Sequence, residues 1–194
     1  MRQPNTSFAN DPVVYDQMMQ AADYVAWYRR DQFIRELPRK MPGEQYIESP
    51  LEAIFLVWWN AIANARGASM FRLHPQEQVS IGDVNLRLDF AIHLDPHRDM
   101  SMVETLVASG LTWTPYAVEV DGHAFHERTR EQVAERNQRD RLLQRAGWKV
   151  FHFSWEELTT DPVAHVGEVI NAAWIQHNEL LAKIWKIREA TNPA

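Results

Sequence analysis

Val84-Asn85-Leu86-Arg87-Leu88-Asp89-Phe90-Ala91-Ile92-His93-Leu94 alternates without a break: every even position is apolar, and the odd positions hold Asn, Arg, Asp, Ala and His. A period of two over this length is the mark of a strand with one face on a core and one polar face, and it puts Asp89 on the polar side. Working upstream, Val79 and Ile81 run into Gly82-Asp83, a glycine-first two-residue loop suited to a type II′ hairpin turn, so two antiparallel strands are predicted here. Working downstream, residues 97 to 114 read as an irregular surface connection. Pro115 then opens a third strand, Tyr116-Ala117-Val118-Glu119-Val120-Asp121, in which Glu119 and Asp121 share a face.

Helices surround these strands. Val14, Met18, Ala21, Val25 and Tyr28 recur at helical spacing within residues 13 to 37, ahead of Pro38 and among Arg29, Arg30, Arg35, Arg39 and Lys40. Ser49-Pro50-Leu51-Glu52 has capping-box spacing with proline at the first helical position, and the apolar run that follows predicts a helix to about Arg66-Gly67. A helix from about Glu127 to Arg145 stops at Gly147, and Trp148 to Phe153 reads as a fourth strand. Asp161-Pro162 starts a long last helix with Val166, Ile170, Ala173, His177, Leu180 and Ile184 on one stripe. The order α, α, β, β, β, α, β, α predicts an α/β fold.

Composition narrows the chemistry. The chain has 194 residues, 45% of them hydrophobic, enough for one core with helical extensions. No run approaches the roughly 20 apolar residues that span a bilayer, and the start lacks a signal-peptide pattern, so a soluble cytoplasmic protein with no membrane partner is expected. With no cysteine there is no disulfide and no thiolate metal site; any metal must sit on carboxylates, histidines or carbonyls. The net charge of −6 argues against a general nucleic-acid coat but says little about one cleft.

The predicted strands bring Asp89, Glu119 and Asp121 toward one place, with Glu52 arriving from the helix before them. Neighbouring carboxylates in a partly dry cleft must either protonate or bind a cation, and Mg²⁺ (with Mn²⁺ as its substitute) is a natural partner for such oxygens. In phosphodiester cleavage such an ion polarises a phosphoryl oxygen and acidifies a bound water. Any one of these acids, taken alone, is more simply a solvated surface residue.

Asp89 followed, after a connection, by Glu119-Val120-Asp121-Gly122 resembles the PD-(D/E)XK superfamily of restriction-endonuclease-like nucleases. The stretch VEVDGHAFHERTREQVAERNQRDRLLQRAGWKVFHFSWEEL, residues 118 to 158, is similar to domains related to the very-short-patch-repair endonuclease, and SPLEAIF resembles their leading helix. The likeness covers roughly residues 48 to 160. It implies a restriction-endonuclease-like mixed sheet flanked by helices: a helical N-terminal extension over 1–43, a nuclease-like core over 44–160, and a C-terminal helix over 161–194. It also implies a metal-dependent endonuclease acting on DNA, with Asp89 and Glu119 as metal ligands, the Val120 carbonyl as a further one, and Glu52 as the acid on the leading helix.

Where the superfamily has its name-giving lysine this chain has Asp121, which offers no positive charge. In the closer branch an acid here is ordinary; Asp121 then assists the metal while His126, five residues on, handles proton transfer, with His123 as a weaker alternative. The same departure motivates the alternative reading, a catalytically inactive nuclease fold serving as a DNA-binding or assembly subunit. Glu52 equally suits the capping box, and Glu48 is its substitute. Arg139 falls amid Leu142, Leu143 and Ala146 on the helix face expected to meet the sheet, so it needs an acceptor, more simply a scaffold carboxylate than a substrate phosphate. Asp140 and Arg141 are expected on flanking or solvated faces. Trp58, Trp59, Trp148 and Trp174 are expected to pack, and the last helix, with Trp174, Ile184 and Trp185, suggests a homodimer.

Overall fold

A computed structural model describes residues 11–24, 47–95, 100–121 and 129–191. The elements are α1 (Pro12–Tyr24), α2 (Pro50–Ala65), β1 (Phe71–Ile81), β2 (Val84–Leu94), α3 (Met100–Ala108), β3 (Tyr116–Asp121), α4 (Arg130–Arg145), β4 (Lys149–Ser154), α5 (Trp155–Thr160) and α6 (Pro162–Thr191). The strands form one mixed sheet in the order β1-β2-β3-β4; β1/β2 and β2/β3 are antiparallel and β3/β4 is parallel, joined through α4. Among the described residues no helix is long and apolar enough to cross a membrane.

The hairpin turns where the sequence places it. Gly82 adopts φ +59° while Asp83 stays out of the left-handed region, the combination a type II′ turn requires, and Ile81 pairs with Val84. Two differences from the sequence reading concern extent. β1 begins at Phe71 rather than near Val79, because eleven residues of β2 offer it a partner along its whole length. Residues 100–108, expected to be irregular, form α3; Met102 and Leu106 are buried in the main core and the helix packs on α6, so tertiary burial stabilises a helix too short to persist alone.

The apolar residues of β2 divide between two packed layers, Phe90, Ile92 and Leu94 in one and Leu88 and Ala91 in the other, so the layer changes between Leu88 and Phe90. Phe90, Ile92, Tyr116, Val118 and Phe153 face α2 and α6, and the Phe55 ring of α2 lies 4.9 Å from that of Phe90 and 6.0 Å from that of Phe153. Burying an aromatic of this size stabilises by about 1.5–3 kcal/mol. The last helix spends its stripe inside the chain: Val166, Ile170, Ala173, His177, Leu180 and Ile184 are all buried, whereas Trp185 is 62% exposed. Trp58 and Trp59 are buried, and Trp174 packs against Phe71.

The opposite face carries Asp89, Ala91, Ala117, Glu119, Asp121, Val150 and His152. Its apolar half, Leu88, Ala91, Ala117 and Val150, is covered by Leu143 of α4. That helix ends where predicted: Gly147 at φ +89° lets its own N–H reach the Gln144 carbonyl and that of Trp148 reach Leu143, turning the chain into β4. The remaining half of this face is acidic.

Candidate metal and phosphate site

Asp89 and Glu119 belong to one row. The β2/β3 ladder pairs Ile92 with Tyr116, Ala91 with Ala117 and Phe90 with Val118, so the next position in register sets Asp89 against Glu119. Backbone pairing stops there, and the Asp89 side chain takes over: its Oδ2 accepts the Val120 N–H at 2.8 Å. On the other flank β4 sets His152 beside Glu119.

Glu119 is only 7% exposed, and burial first, then the charge of Asp89, pushes its carboxyl up to about 8, with Arg139 pulling the other way. Arg139 reaches it from α4, donating from Nη2 to Oε1 at 2.8 Å and also to the Arg87 carbonyl. The arginine side chain is 32% exposed, so it stands at the margin of the packed layer; its Nε is buried with no hydrogen-bond acceptor among the described residues. Asp89 is likewise raised, chiefly by burial, an effect opposed by the Val120 N–H and by Arg139.

Glu52 closes the first turn of α2 with Ser49 and also reaches Gln76 of β1. Its Oε1 accepts from the Ser49 hydroxyl at 2.9 Å while the Ser49 hydroxyl accepts the Glu52 N–H, and its Oε2 accepts the Glu48 N–H at 3.1 Å. The same Oε2 accepts from Gln76 Nε2 at 2.7 Å. The carboxyl is 5% exposed and raised by burial, with the charge of Asp89 adding to the rise. Glu48 is elsewhere, in an exposed two-pronged pair with Arg87 at 2.8 and 2.9 Å.

Asp121 lies at the end of the acidic row, 3.3 Å from Arg136 and 3.7 Å from His152 Nδ1. Asp140, expected on a flanking or solvated face, holds His152 Nε2 at 3.0 Å instead. Gln76, Arg136, Asp140 and His152 are thus additions to the site. The pair His152 and Asp140 meets only because the parallel crossover folds α4 back over β4, which no local pattern announces. For Gln76 there was a signal, Pro75-Gln76 interrupting an otherwise alternating strand. His123 and His126 lie outside the described residues.

The donors fit a hard divalent cation. A buried carboxylate, Glu119, beside a half-buried one, Asp89, must be protonated or share a positive charge, and each keeps a second oxygen that bonds none of the described residues. Among the described residues no three His, Asp or Glu side chains stand together in metal-holding geometry. Mg²⁺ commonly takes one or two protein carboxylates and fills its other positions with water and substrate oxygens.

Compared with models of protein families, with curated proteins and with solved structures, the chain matches none.

Proposed function

We propose that the chain is a metal-dependent nuclease of the PD-(D/E)XK, restriction-endonuclease-like kind that hydrolyses DNA phosphodiester bonds in the cytoplasm. The observation that carries this reading is the row formed by Asp89 and Glu119 at the point where β2 and β3 part, on a mixed sheet reached in the order α2-β1-β2-α3-β3-α4-β4. Asp89 and Glu119 would hold Mg²⁺ or Mn²⁺, with the Val120 carbonyl as the further ligand the resemblance implies. Such an ion, when bound, supplies Lewis acidity at a phosphoryl oxygen and acidifies water.

The chain's own residues do the rest. Hydrolysis joins the water oxygen to phosphorus, breaks one P–O bond to the sugar, and delivers a proton to the departing oxygen. Arg139 presents a buried Nε–H without an acceptor among the described residues, and a phosphate oxygen is an acceptor that suits it. Asp89 stays fixed by the Val120 N–H while the phosphate enters. Asp121 supplies no positive charge in the lysine's place; it is engaged with Arg136, and assists a metal from the edge of the row. His126 is the proposed proton carrier.

The test is incubation of purified protein with supercoiled, linear and single-stranded DNA in the presence of Mg²⁺, Mn²⁺ or chelator, beside Asp89→Ala. Metal-dependent cleavage lost in the variant supports the reading, and equal cleavage by both proteins ends it. The engagement of Asp121 by Arg136 and His152 favours one second reading, a nuclease fold without turnover that binds DNA or assembles with a partner. DNA retention without cleavage at any metal concentration would select it.

A further inference from the structure

Gln76 stands opposite Asp89 in the β1/β2 register, between the pairs Pro75 with Phe90 and Glu77 with Leu88. Its φ is +52°, and it is the one non-glycine residue with positive φ among the described residues. A left-handed residue inside a strand, with a Cβ to accommodate, is disfavoured, and such outliers persist where surrounding contacts over-determine them. The contact here is the bond from Nε2 to Glu52 Oε2 at 2.7 Å, made to an acceptor-only carboxylate. That bond fixes the amide: the NH₂ must face Glu52, so the carbonyl faces away from it. Oε1 is buried and receives no hydrogen bond among the described residues.

A buried carbonyl without a donor calls for a ligand that donates. Asp89, Glu119 and Glu52 accept when ionised, and the oxygens of a phosphodiester only accept. The reactant of phosphodiester hydrolysis that can donate is water. We infer that Gln76 is a positioning residue whose side-chain carbonyl takes a hydrogen bond from the attacking water, while its amide nitrogen braces Glu52. This inference rests on the nuclease reading above and assigns one further residue to that site. An amide carbonyl is too weak a base to take the proton, so Gln76 orients the water and does not deprotonate it.

Two substitutions separate this role from a purely structural one. Gln76→Met keeps the length and removes both polar ends; Gln76→Glu keeps an acceptor oxygen but sets a second carboxylate against Glu52. With orientation lost, Gln76→Met is expected to lower kcat about 10–100-fold, while KM for DNA and the Mn²⁺ dissociation constant, measured by calorimetry, stay within about twofold. Gln76→Glu is expected to retain more activity than Gln76→Met. If Gln76 only braced Glu52, the charged variant would be the worse of the two, and that order overturns the inference. So does an unchanged kcat in Gln76→Met, or a Mn²⁺ affinity weakened about tenfold, which would make the oxygen a metal ligand.

Should Gln76→Met fail to melt cooperatively, Gln76→Asn, which tolerates the left-handed backbone and withdraws the carbonyl by one methylene, must show the same loss of kcat. Wild-type protein that cleaves no DNA overturns the nuclease reading and this inference with it. Wild-type cleavage that is lost in Glu119→Gln but intact in Gln76→Met overturns this inference alone.

Discussion

Arg139 Nη2 and Glu119 Oε1 are 2.8 Å apart, an arginine from α4 meeting the most perturbed carboxyl of the sheet. Because burial and Asp89 both favour the neutral acid, the guanidinium is the main influence holding Glu119 toward its charged form. The two residues come from elements joined by a crossover, so their meeting depends on the register of α4 over β3. The same guanidinium bonds the Arg87 carbonyl and so ties α4 to β2.

Arg139→Met is therefore expected to cost about 1–3 kcal/mol of stability in urea denaturation, the range for leaving buried acceptors unsatisfied, and to do so more at alkaline than at acidic pH. At low pH Glu119 is protonated with or without its partner. A loss that does not change with pH would mean that the arginine contributes through packing alone.

Glu119 also sets a pH dependence whose sign follows from the shift. An unfolded glutamate titrates near 4.5 and the folded one at about 8, so between those values the native state holds the extra proton. Its stabilising contribution is fully present below the lower value and is lost as pH rises through the upper one. Asp89 and Glu52, also raised, act in the same direction. In chelator the Tm should fall between about pH 5 and about pH 8.5, and Glu119→Gln should flatten that fall and exceed wild type at the upper end. Saturating Mg²⁺ should raise the wild-type Tm more at the alkaline end, where no proton competes for the site. A Tm that rises across this range in chelator, with Glu119→Gln less stable than wild type at the upper end, would contradict the shift.

Phe55→Ala tests the packing that sets the row in place. The Phe55 ring touches both β2 and β4 through Phe90 and Phe153 and is fully buried, so its removal should cost about 3–5 kcal/mol in denaturant titration. A cost under about 1 kcal/mol would mean that α2 does not cover the sheet as described.

The sheet was legible wherever one face is buried and the other polar. The alternation from Val84 to Leu94 and the shared face of Glu119 and Asp121 were readable in the sequence, whereas the change of layer between Leu88 and Phe90 was not. The long stripe from Val166 to Ile184 was legible for the same reason, and it is buried within the chain. The first half of β1 was not, because His74-Pro75-Gln76-Glu77 has the composition of a loop and is held as a strand by β2. Nor was α3, nine residues whose apolar positions have meaning only against α6. His152 and Asp140 were beyond reach because twelve residues and a chain reversal separate them. Asp140 was expected at a flanking or solvated position because no local pattern sets it over His152 of the fourth strand.

Glu119→Gln addresses the chemistry directly, since it removes the ionisable oxygen at almost constant volume. The amide can still accept from Arg139, so the fold should survive, and melting in chelator checks that it does. The charge that would help hold Mg²⁺ is gone, and with it part of the ion's effect on water and phosphate. A loss of about 4 kcal/mol of transition-state stabilisation corresponds to about 10³-fold in rate, and cleavage should fall by at least that factor at saturating metal. His126→Ala should be milder, about 10²-fold, the lower end of the general acid–base range, since solvent can carry a proton but nothing replaces a ligand charge. Should purified Glu119→Gln cleave DNA at the wild-type rate, the metal-dependent reading of the Asp89 and Glu119 row would be wrong.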